Sequence, residues 1–335
     1  MMTKAAVIYH RIDLDGLCSR EIVREYLATR PEETEVVVSI GYDYPDSTDH
    51  VLKALVDHPE LDEIYLVDVC LPCDLLDQYA EKIIMIDHHD TGIERSKPYM
   101  HRFKRACVQL NHPKVMAANG VDVAHKAAAC ELAWVTFFPD KEMPNIVKLC
   151  GRYDVWDHLA DGNALAFNEF CRDKNVTHCP EVFHLLFQAM KVNNLVTNEL
   201  LMRNIDEGHQ LLASLDKLNA RDAKSGARAF LFGDTGIRVL VANQSGRNSK
   251  FFKSIYDKSL HDVMLLFGFN AKNMNWKISL FTENKVVDMQ VIFDAVLNNE
   301  NNEVLSFGGH MYSACGYSTT NIQVDLIQHL KPIED

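Results

Sequence analysis

The sequence predicts an α/β protein with two domains. The first is an N-terminal parallel sheet flanked by helices, the second a smaller C-terminal mixed α/β domain, and a long helix joins them. Three observations carry this. Over the first 90 residues, short apolar runs alternate in regular order with stretches of helical spacing, the signature of a parallel sheet covered by helices. The middle of the chain is helical and ends in a long stretch near residue 200, and strand patterns return beyond Gly226. The length, 335 residues, suits about two domains. The boundaries read from these changes are 1–194 for the first domain, 195–224 for the connecting helix and 225–335 for the second domain.

The elements follow in order. Ala5–Tyr9 is a short β-type run, and Ile22, Val23, Tyr26 and Leu27 mark a helix over Arg20–Thr29. The β-branched run Val36–Ile40 reads as a buried strand, and His50–Val56 as a helix. Ile64–Val69 and Ile83–Ile86 are two more strands, with a helix over about 74–80 between them. Ala127, Cys130, Trp134, Phe137 and Phe138 fall on one helical stripe. Asn145–Trp156 is a helix with Pro144 in its first turn. Leu195–Asp222 carries Leu201, Ile205, Leu212, Leu215 and Leu218 along one side. Ile237–Ala242, Val263–Phe269 and Trp276–Phe281 are strands, and Met289–Leu297 is a helix.

Composition excludes several classes. Lys and Arg number 34 against 47 Asp and Glu, a net charge of −13, which argues against coating long duplex nucleic acid because phosphate neutralisation needs dense cations. No apolar run reaches the roughly 20 residues that span a bilayer, so no membrane partner is expected. The nine cysteines, read as scattered single residues, predict free thiols and a cytoplasmic location.

In parallel sheets, ligands bind beyond the carboxyl ends of the strands. The first strand runs directly into His10-Arg11-Ile12-Asp13-Leu14-Asp15-Gly16, the third ends at Val67-Asp68, and the fourth ends at Ile86-Asp87-His88-His89-Asp90. The helical segment Gly151–Asp157 adds Asp154. Taken singly, each of these is better explained as a turn, a helix cap or a surface residue. Together they bring acids and imidazoles to one sheet edge, where clustered carboxylates need a counter-charge. A His/Asp set without thiolates favours Mn²⁺, Mg²⁺, Co²⁺ or Fe²⁺. Two divalent ions sharing a carboxylate would polarise a phosphoryl group.

These residues resemble the motifs of the DHH phosphoesterase superfamily. Asp87-His88-His89 matches its namesake motif, and His10-x-x-Asp13-x-Asp15-Gly16 resembles the first motif. Asp68 resembles the second motif, Asp154 the fourth, and Ser306-Phe307-Gly308-Gly309-His310 the Gly-Gly-His signature of the DHH-associated C-terminal domain. The segment Ala128–Trp134 is also similar to the stretch that follows Asp-His-His in these proteins. The wording is closest to the nano-RNase and oligoribonuclease-like branch. Between His310 and Gly316 the sequence Met-Tyr-Ser-Ala-Cys is longer than the family spacing.

The resemblance implies a two-metal phosphodiesterase that cuts short oligonucleotides or linear dinucleotides to mononucleotides. It implies two divalent ions, Mn²⁺ first, with Mg²⁺ or Co²⁺ as alternatives. His10 and Asp13 would bind one ion, Asp15, His88 and Asp154 the other, and Asp68 both. His89 would serve the leaving oxygen or contact the phosphate, and Asp87 would orient an imidazole. His310 and the backbone of Gly308 and Gly309 would hold the substrate, with Arg247 of the loop Gln244–Lys250 as a further phosphate contact. A homodimer is compatible with the superfamily. Cyclic dinucleotides and 3′-phosphoadenosine 5′-phosphate are rival substrates within it. The reading from another class is a non-catalytic nucleotide binder, against which every ligand position is filled.

Overall fold

The computed structural model describes residues 2–43, 47–108, 111–120, 126–155, 162–284, 287–310 and 314–333, without the side chains of 177, 306–310 and 314. The chain forms two compact units, Met1–Leu212 and Ala213–Asp335.

In chain order, unit 1 contains β1 (Thr3–His10), α1 (Leu14–Thr29), β2 (Thr34–Tyr42), α2 (Asp49–Asp57), β3 (Glu63–Val67), α3 (Cys73–Tyr79), β4 (Ile83–Ile86), α4 (Asp90–Ser96), β5 (Arg105–Cys107), α5 (Pro113–Asn119), α6 (Ala129–Phe137), α7 (Asn145–Asp154), α8 (Gly162–Asp173) and α9 (Pro180–Met190). The helix α10 (Leu195–Gly226) begins in unit 1 and ends in unit 2.

The five strands are all parallel, in the order β2-β1-β3-β4-β5. Both faces are covered, which explains the apolar runs without alternation. Ala5, Val7, Tyr9, Tyr65, Val67, Ile84 and Ile86 face one core, packed with residues of α1 and α6 to α9. The intervening Ala6, Ile8, Ile64, Leu66, Ile83 and Met85 face a second core with Val51, Leu55, Leu75 and Leu76 of α2 and α3. From β1 the chain builds β2 on one side and then β3 on the other. The carboxyl ends of β1 and β3 therefore flank the switch point of the sheet, the place where parallel sheets bind ligands.

Several sequence expectations change. Val36–Val38 are only half-buried, because β2 is an edge strand with β1 as its single partner. Helix α1 starts six residues before Arg20, at Leu14, because Asp13 caps it by accepting from Gly16 N. Pro144 is the N-cap of α7 and lies outside the first turn, and Trp156 lies outside the described residues. Helix α6 has no single apolar stripe: every one of its residues is buried. Along α10, Leu201 and Ile205 are buried but Leu218 is 41% exposed.

All nine cysteines are free. Cys70 and Cys73 nevertheless stand at C-x-x-C spacing, which a reading of the cysteines as single residues overlooks; Cys70 is buried and Cys73 exposed. No helix among the described residues is long and apolar enough to cross a membrane.

Unit 2 continues with β6 (Ala227–Phe232), β7 (Arg238–Asn243), β8 (Val263–Asn270), β9 (Asn275–Phe281), α11 (Gln290–Leu297), β10 (Val304–His310), β11 (Ala314–Thr319), α12 (Ile322–Asp325) and β12 (Leu330–Pro332). Its sheet has the order β10-β11-β9-β8-β7-β6-β12, antiparallel except between β7 and β8. Val239, Val241, Val263, Leu265, Ile278 and Leu280 pack one face onto Ile292, Phe293 and Val296 of α11. Part of the other face is covered by Ala223, Phe251 and Phe252.

Candidate metal centre

His10 is the last residue of β1 and only 7% exposed. The chain then turns sharply into α1, and Gly16 is needed there: an ideal Cβ at that position would lie 2.0 Å from the His10 carbonyl oxygen. Asp13 uses both carboxylate oxygens. Oδ1 accepts from Gly16 N at 2.9 Å as the helix cap, and Oδ2 lies 2.6 Å from His10 Nδ1. Asp15, in the first turn of α1, is buried and is held by another helix: its oxygens accept from Ala129 N at 2.9 Å and Cys130 N at 2.7 Å. The positive N-terminus of α6 thus stabilises a buried anion.

Asp68 follows β3 with φ 60°, in the left-handed region that only a few per cent of non-glycine residues adopt. Its N–H continues the sheet ladder to Ile86 O at 2.9 Å. Its two oxygens diverge. Oδ2 lies 3.5 Å from His10 Nδ1, and Oδ1 lies 3.3 Å from His88 Nε2 and 3.7 Å from His89 Nδ1. His88 Nε2 is also 3.2 Å from Asp154 Oδ2 and 3.6 Å from Asp15 Oδ2. The ligand atoms fall into three groups, each within 4.8 Å: His10, Asp13 and Asp68; Asp15, His88 and Asp154; and Asp68, His88 and His89. The six residues singled out for metal binding from the sequence are thus brought together, with Asp68 between two triads.

Asp87 lies outside these groups and is fully buried. Its Oδ1 accepts from His88 N at 2.8 Å and His89 N at 3.1 Å, and lies 2.8 Å from His89 Nδ1, so it fixes both the turn and one imidazole.

The electrostatics are those of a cluster short of positive charge. Burial first, then the charges of Asp15 and Asp13, push the Asp68 carboxyl well above the usual range. Burial and then Asp15 do the same to Asp154. Burial lowers the His10 imidazole, but the facing carboxylates of Asp13 and Asp68 outweigh it and push His10 up to about 11. His89 is raised in the same way, its burial outweighed by the hydrogen bond to Asp87. Both Asp68 oxygens and His88 Nε2 are buried without a hydrogen bond. Divalent cations would satisfy all of these groups at once, and the donor set, imidazole and carboxylate without thiolate, suits them.

Two further features escaped sequence reading. Asp43, just beyond β2, places Oδ1 3.4 Å from His10 Nε2. It sits at the carboxyl end of a neighbouring strand, so the rule that located Asp68 and Asp87 also reaches it. The second feature is a buried ion pair between α6 and α7. Glu131 is 0% exposed and Arg152 6%, with Arg152 Nε donating to Glu131 Oε1 at 3.0 Å and a second guanidinium N–H donating to Oε2. Ala128 N and Asn119 Nδ2 donate to the same carboxylate at 2.9 and 2.8 Å. Glu131 lies in the turn of α6 that holds Asp15, and Arg152 lies two residues before Asp154.

The substrate contacts expected from the sequence all lie in unit 2. Gly308, Gly309 and His310 end β10, paired with Gly316, Cys315 and Ala314 of β11; the side chain of His310 is outside the described part. Strand β10 is an edge of its sheet, so alternate backbone N–H groups face away from β11. Arg247 follows β7 and lines a cavity in unit 2.

The fold is the one implied by the resemblance to the DHH phosphoesterases: a parallel sheet whose strand ends carry the Asp-His-His run, followed by a mixed second unit. Among solved structures, the chain shares its fold with RecJ in complex with Mn²⁺ from Thermus thermophilus, at a TM-score of 0.51 and 13% identity over 94% of this chain and 49% of that one. The chain thus spans about half of that RecJ chain. Two others align at scores too low to carry an argument. One is an exopolyphosphatase-related protein from Bacteroides fragilis (TM-score 0.41, 13% identity, 94% and 86% of the two chains). The other is a pGpG-specific phosphodiesterase from Vibrio cholerae (TM-score 0.44, 9% identity, 97% and 96%). No protein-family model and no curated protein matches the sequence.

Proposed function

We propose that the protein is a divalent-metal-dependent phosphodiesterase that cuts short oligonucleotides or linear dinucleotides to mononucleotides. One observation carries the reading: the buried Asp68 carboxylate turns one oxygen to each of two His/Asp triads at the switch point of the sheet. His10, Asp13 and Asp68 would hold one ion, and Asp15, His88, Asp154 and Asp68 the second. Ions bound there supply Lewis acidity toward a phosphoryl oxygen and make water acidic enough to attack near neutral pH. Mn²⁺ is the first choice, with Mg²⁺ or Co²⁺ as alternatives.

The remaining roles belong to the chain's own residues. Asp87 holds the His89 imidazole through Nδ1, and Nε2 is the nitrogen that delivers a proton to the departing ribose oxygen. The hydrogen bond to Asp87 raises the affinity of His89 for its proton. In unit 2, backbone groups of Gly308 and Gly309, with His310 and Arg247, bind the substrate's phosphates. The acidic total of the chain fits a short substrate better than a long polyanion.

The test is a Mn²⁺-dependent hydrolysis panel of linear dinucleotides, five-nucleotide oligomers, cyclic dinucleotides and 3′-phosphoadenosine 5′-phosphate. Mononucleotide release from the linear substrates is expected. Release only from one of the others replaces the substrate. No hydrolysis, with nucleotide binding intact, leaves a non-catalytic binder.

A further inference from the structure

His10 offers two nitrogens, and the structure sets a carboxylate against each. Nδ1 lies 2.6 Å from Asp13 Oδ2 and 3.5 Å from Asp68 Oδ2, on the side of the proposed ion. Nε2, on the other side of the ring, lies 3.4 Å from Asp43 Oδ1. His10 is 7% exposed, and its ring stands edge-on to that of His89, with centroids 6.3 Å apart. An imidazole binds a cation through the nitrogen that keeps its lone pair. The other nitrogen carries the proton and needs an acceptor.

The backbone brings Asp43 to that place. Strands β1 and β2 run in parallel register, Tyr9 beside Gly41 and His10 beside Tyr42. Arg11 N donates to Tyr42 O at 3.1 Å and carries the pairing one residue further. Gly41 allows the close approach, since an ideal Cβ there would lie 2.8 Å from Arg11 Cβ and 3.2 Å from the Tyr9 hydroxyl oxygen. Asp43 comes directly after this clamp, with its side chain 18% exposed. Among the described residues its one ion-pair partner is His10. Asp43 belongs to none of the three candidate ligand groups. The arrangement has a counterpart across the site: Asp87, after β4 and also outside those groups, places Oδ1 2.8 Å from His89 Nδ1.

We infer that Asp43 is a positioning residue: it accepts from His10 Nε2–H and so turns the Nδ1 lone pair toward a divalent ion shared with Asp13 and Asp68. The inference rests on the metal reading above and goes beyond it. It fixes which His10 nitrogen faces the ion, and it gives β2, the strand without a ligand, a part in the centre. A carboxylate in this place locks the tautomer and the orientation of the ring, and its charge makes the imidazole a stronger donor.

Calorimetric titration of Mn²⁺ into the metal-free, full-length protein tests it. The wild type should bind two ions. Asp43→Ala should weaken one of them by about 10–100-fold, the usual cost of losing such a partner. The other ion should bind unchanged and so report an intact fold. Asp43→Asn keeps an acceptor oxygen and should lose less. In a His10→Ala background, Asp43→Ala should cost nothing further, because its effect passes through the imidazole. Long-range proton–nitrogen spectra of the Mg²⁺-loaded protein should show His10 protonated on Nε2 and ligated through Nδ1. This pattern supports the inference even if the hydrolysis panel shows no turnover. Two ions of unchanged affinity in Asp43→Ala, an equal loss in the His10→Ala background, or ligation through Nε2 overturns it while the metal reading stands. A wild type that binds no ion overturns both.

Discussion

Replacing Glu131 by Gln should weaken the metal centre from behind, without touching a ligand atom. The carboxylate is fully buried and receives four N–H groups, two of them from Arg152, which is itself 6% exposed. Glu131→Gln preserves volume but removes the buried negative charge that faces the guanidinium. Breaking a buried pair from one side costs about 3–5 kcal/mol. Arg152→Met leaves the carboxylate stranded instead and should cost a similar amount. The double variant should cost about 1–3 kcal/mol less than the two single losses added, because the stranded charge is gone. The pair clamps the turn of α6 whose amides hold Asp15 to the end of α7 that carries Asp154, so the loss should fall on one triad. Hydrogen exchange should rise in peptides covering α6 and α7. Mn²⁺ calorimetry should show the ion at Asp15, His88 and Asp154 lost or weakened, while that at His10 and Asp13 persists. A Glu131→Gln protein destabilised by less than about 1 kcal/mol, with unchanged exchange and two ions bound, would refute the reasoning.

Other predictions follow from the same geometry. Asp68→Asn should abolish tight binding of both ions while the fold survives, because Asn tolerates the left-handed backbone at φ 60°; circular dichroism and metal titration check this, and two tight ions in the variant count against the bridging role. His89→Ala should retain both ions and lose about 100-fold or more in turnover, the usual contribution of a general acid; unchanged turnover removes His89 from the reaction. Stability of the metal-free protein should fall as pH rises. His10 is raised from 6.5 to about 11, so its contribution is complete below pH 6.5 and disappears as pH climbs through about 11. Asp68 and Asp154, raised well above 3.8, act with the same sign. Each proton lost from such a group costs up to about 1.4 kcal/mol per pH unit. Added Mn²⁺ takes the place of the protons and should flatten or invert the slope. Thermal melts at pH 6 and pH 9, with EDTA or Mn²⁺, measure this; equal melting temperatures in EDTA would contradict it.

The parts of the molecule that sequence reading reached are those where one local rule dominates. β1, β3 and β4 are buried on both faces, so they appear as unbroken apolar runs ending in a charge, and their ends locate His10, Asp68 and Asp87. The parts it missed depend on distant partners. The true start of α1 rests on an Asp13 that both caps the helix and touches His10. Burial of α6 on all sides erases the stripe that periodicity looks for. The pairing of Glu131 with Arg152 joins residues from two helices whose proximity no local pattern announces. The edge position of β2 was equally hidden, since Val36–Ile40 has the same composition as a central strand. Asp43 is the exception: it follows β2 directly and so obeys the same strand-end rule as Asp68 and Asp87.

The scatter of the candidate ligands along the chain ties the centre to the whole of unit 1. His10, Asp13 and Asp68 come from the ends of the neighbouring strands β1 and β3. The second triad needs the amides of Ala129 and Cys130 on Asp15, and α7, which carries Asp154. A chain cut before α6 would keep the residues at the strand ends but lose the amides that hold Asp15, the helix that carries Asp154 and the cover of one face of the sheet, so the second triad belongs to the complete unit.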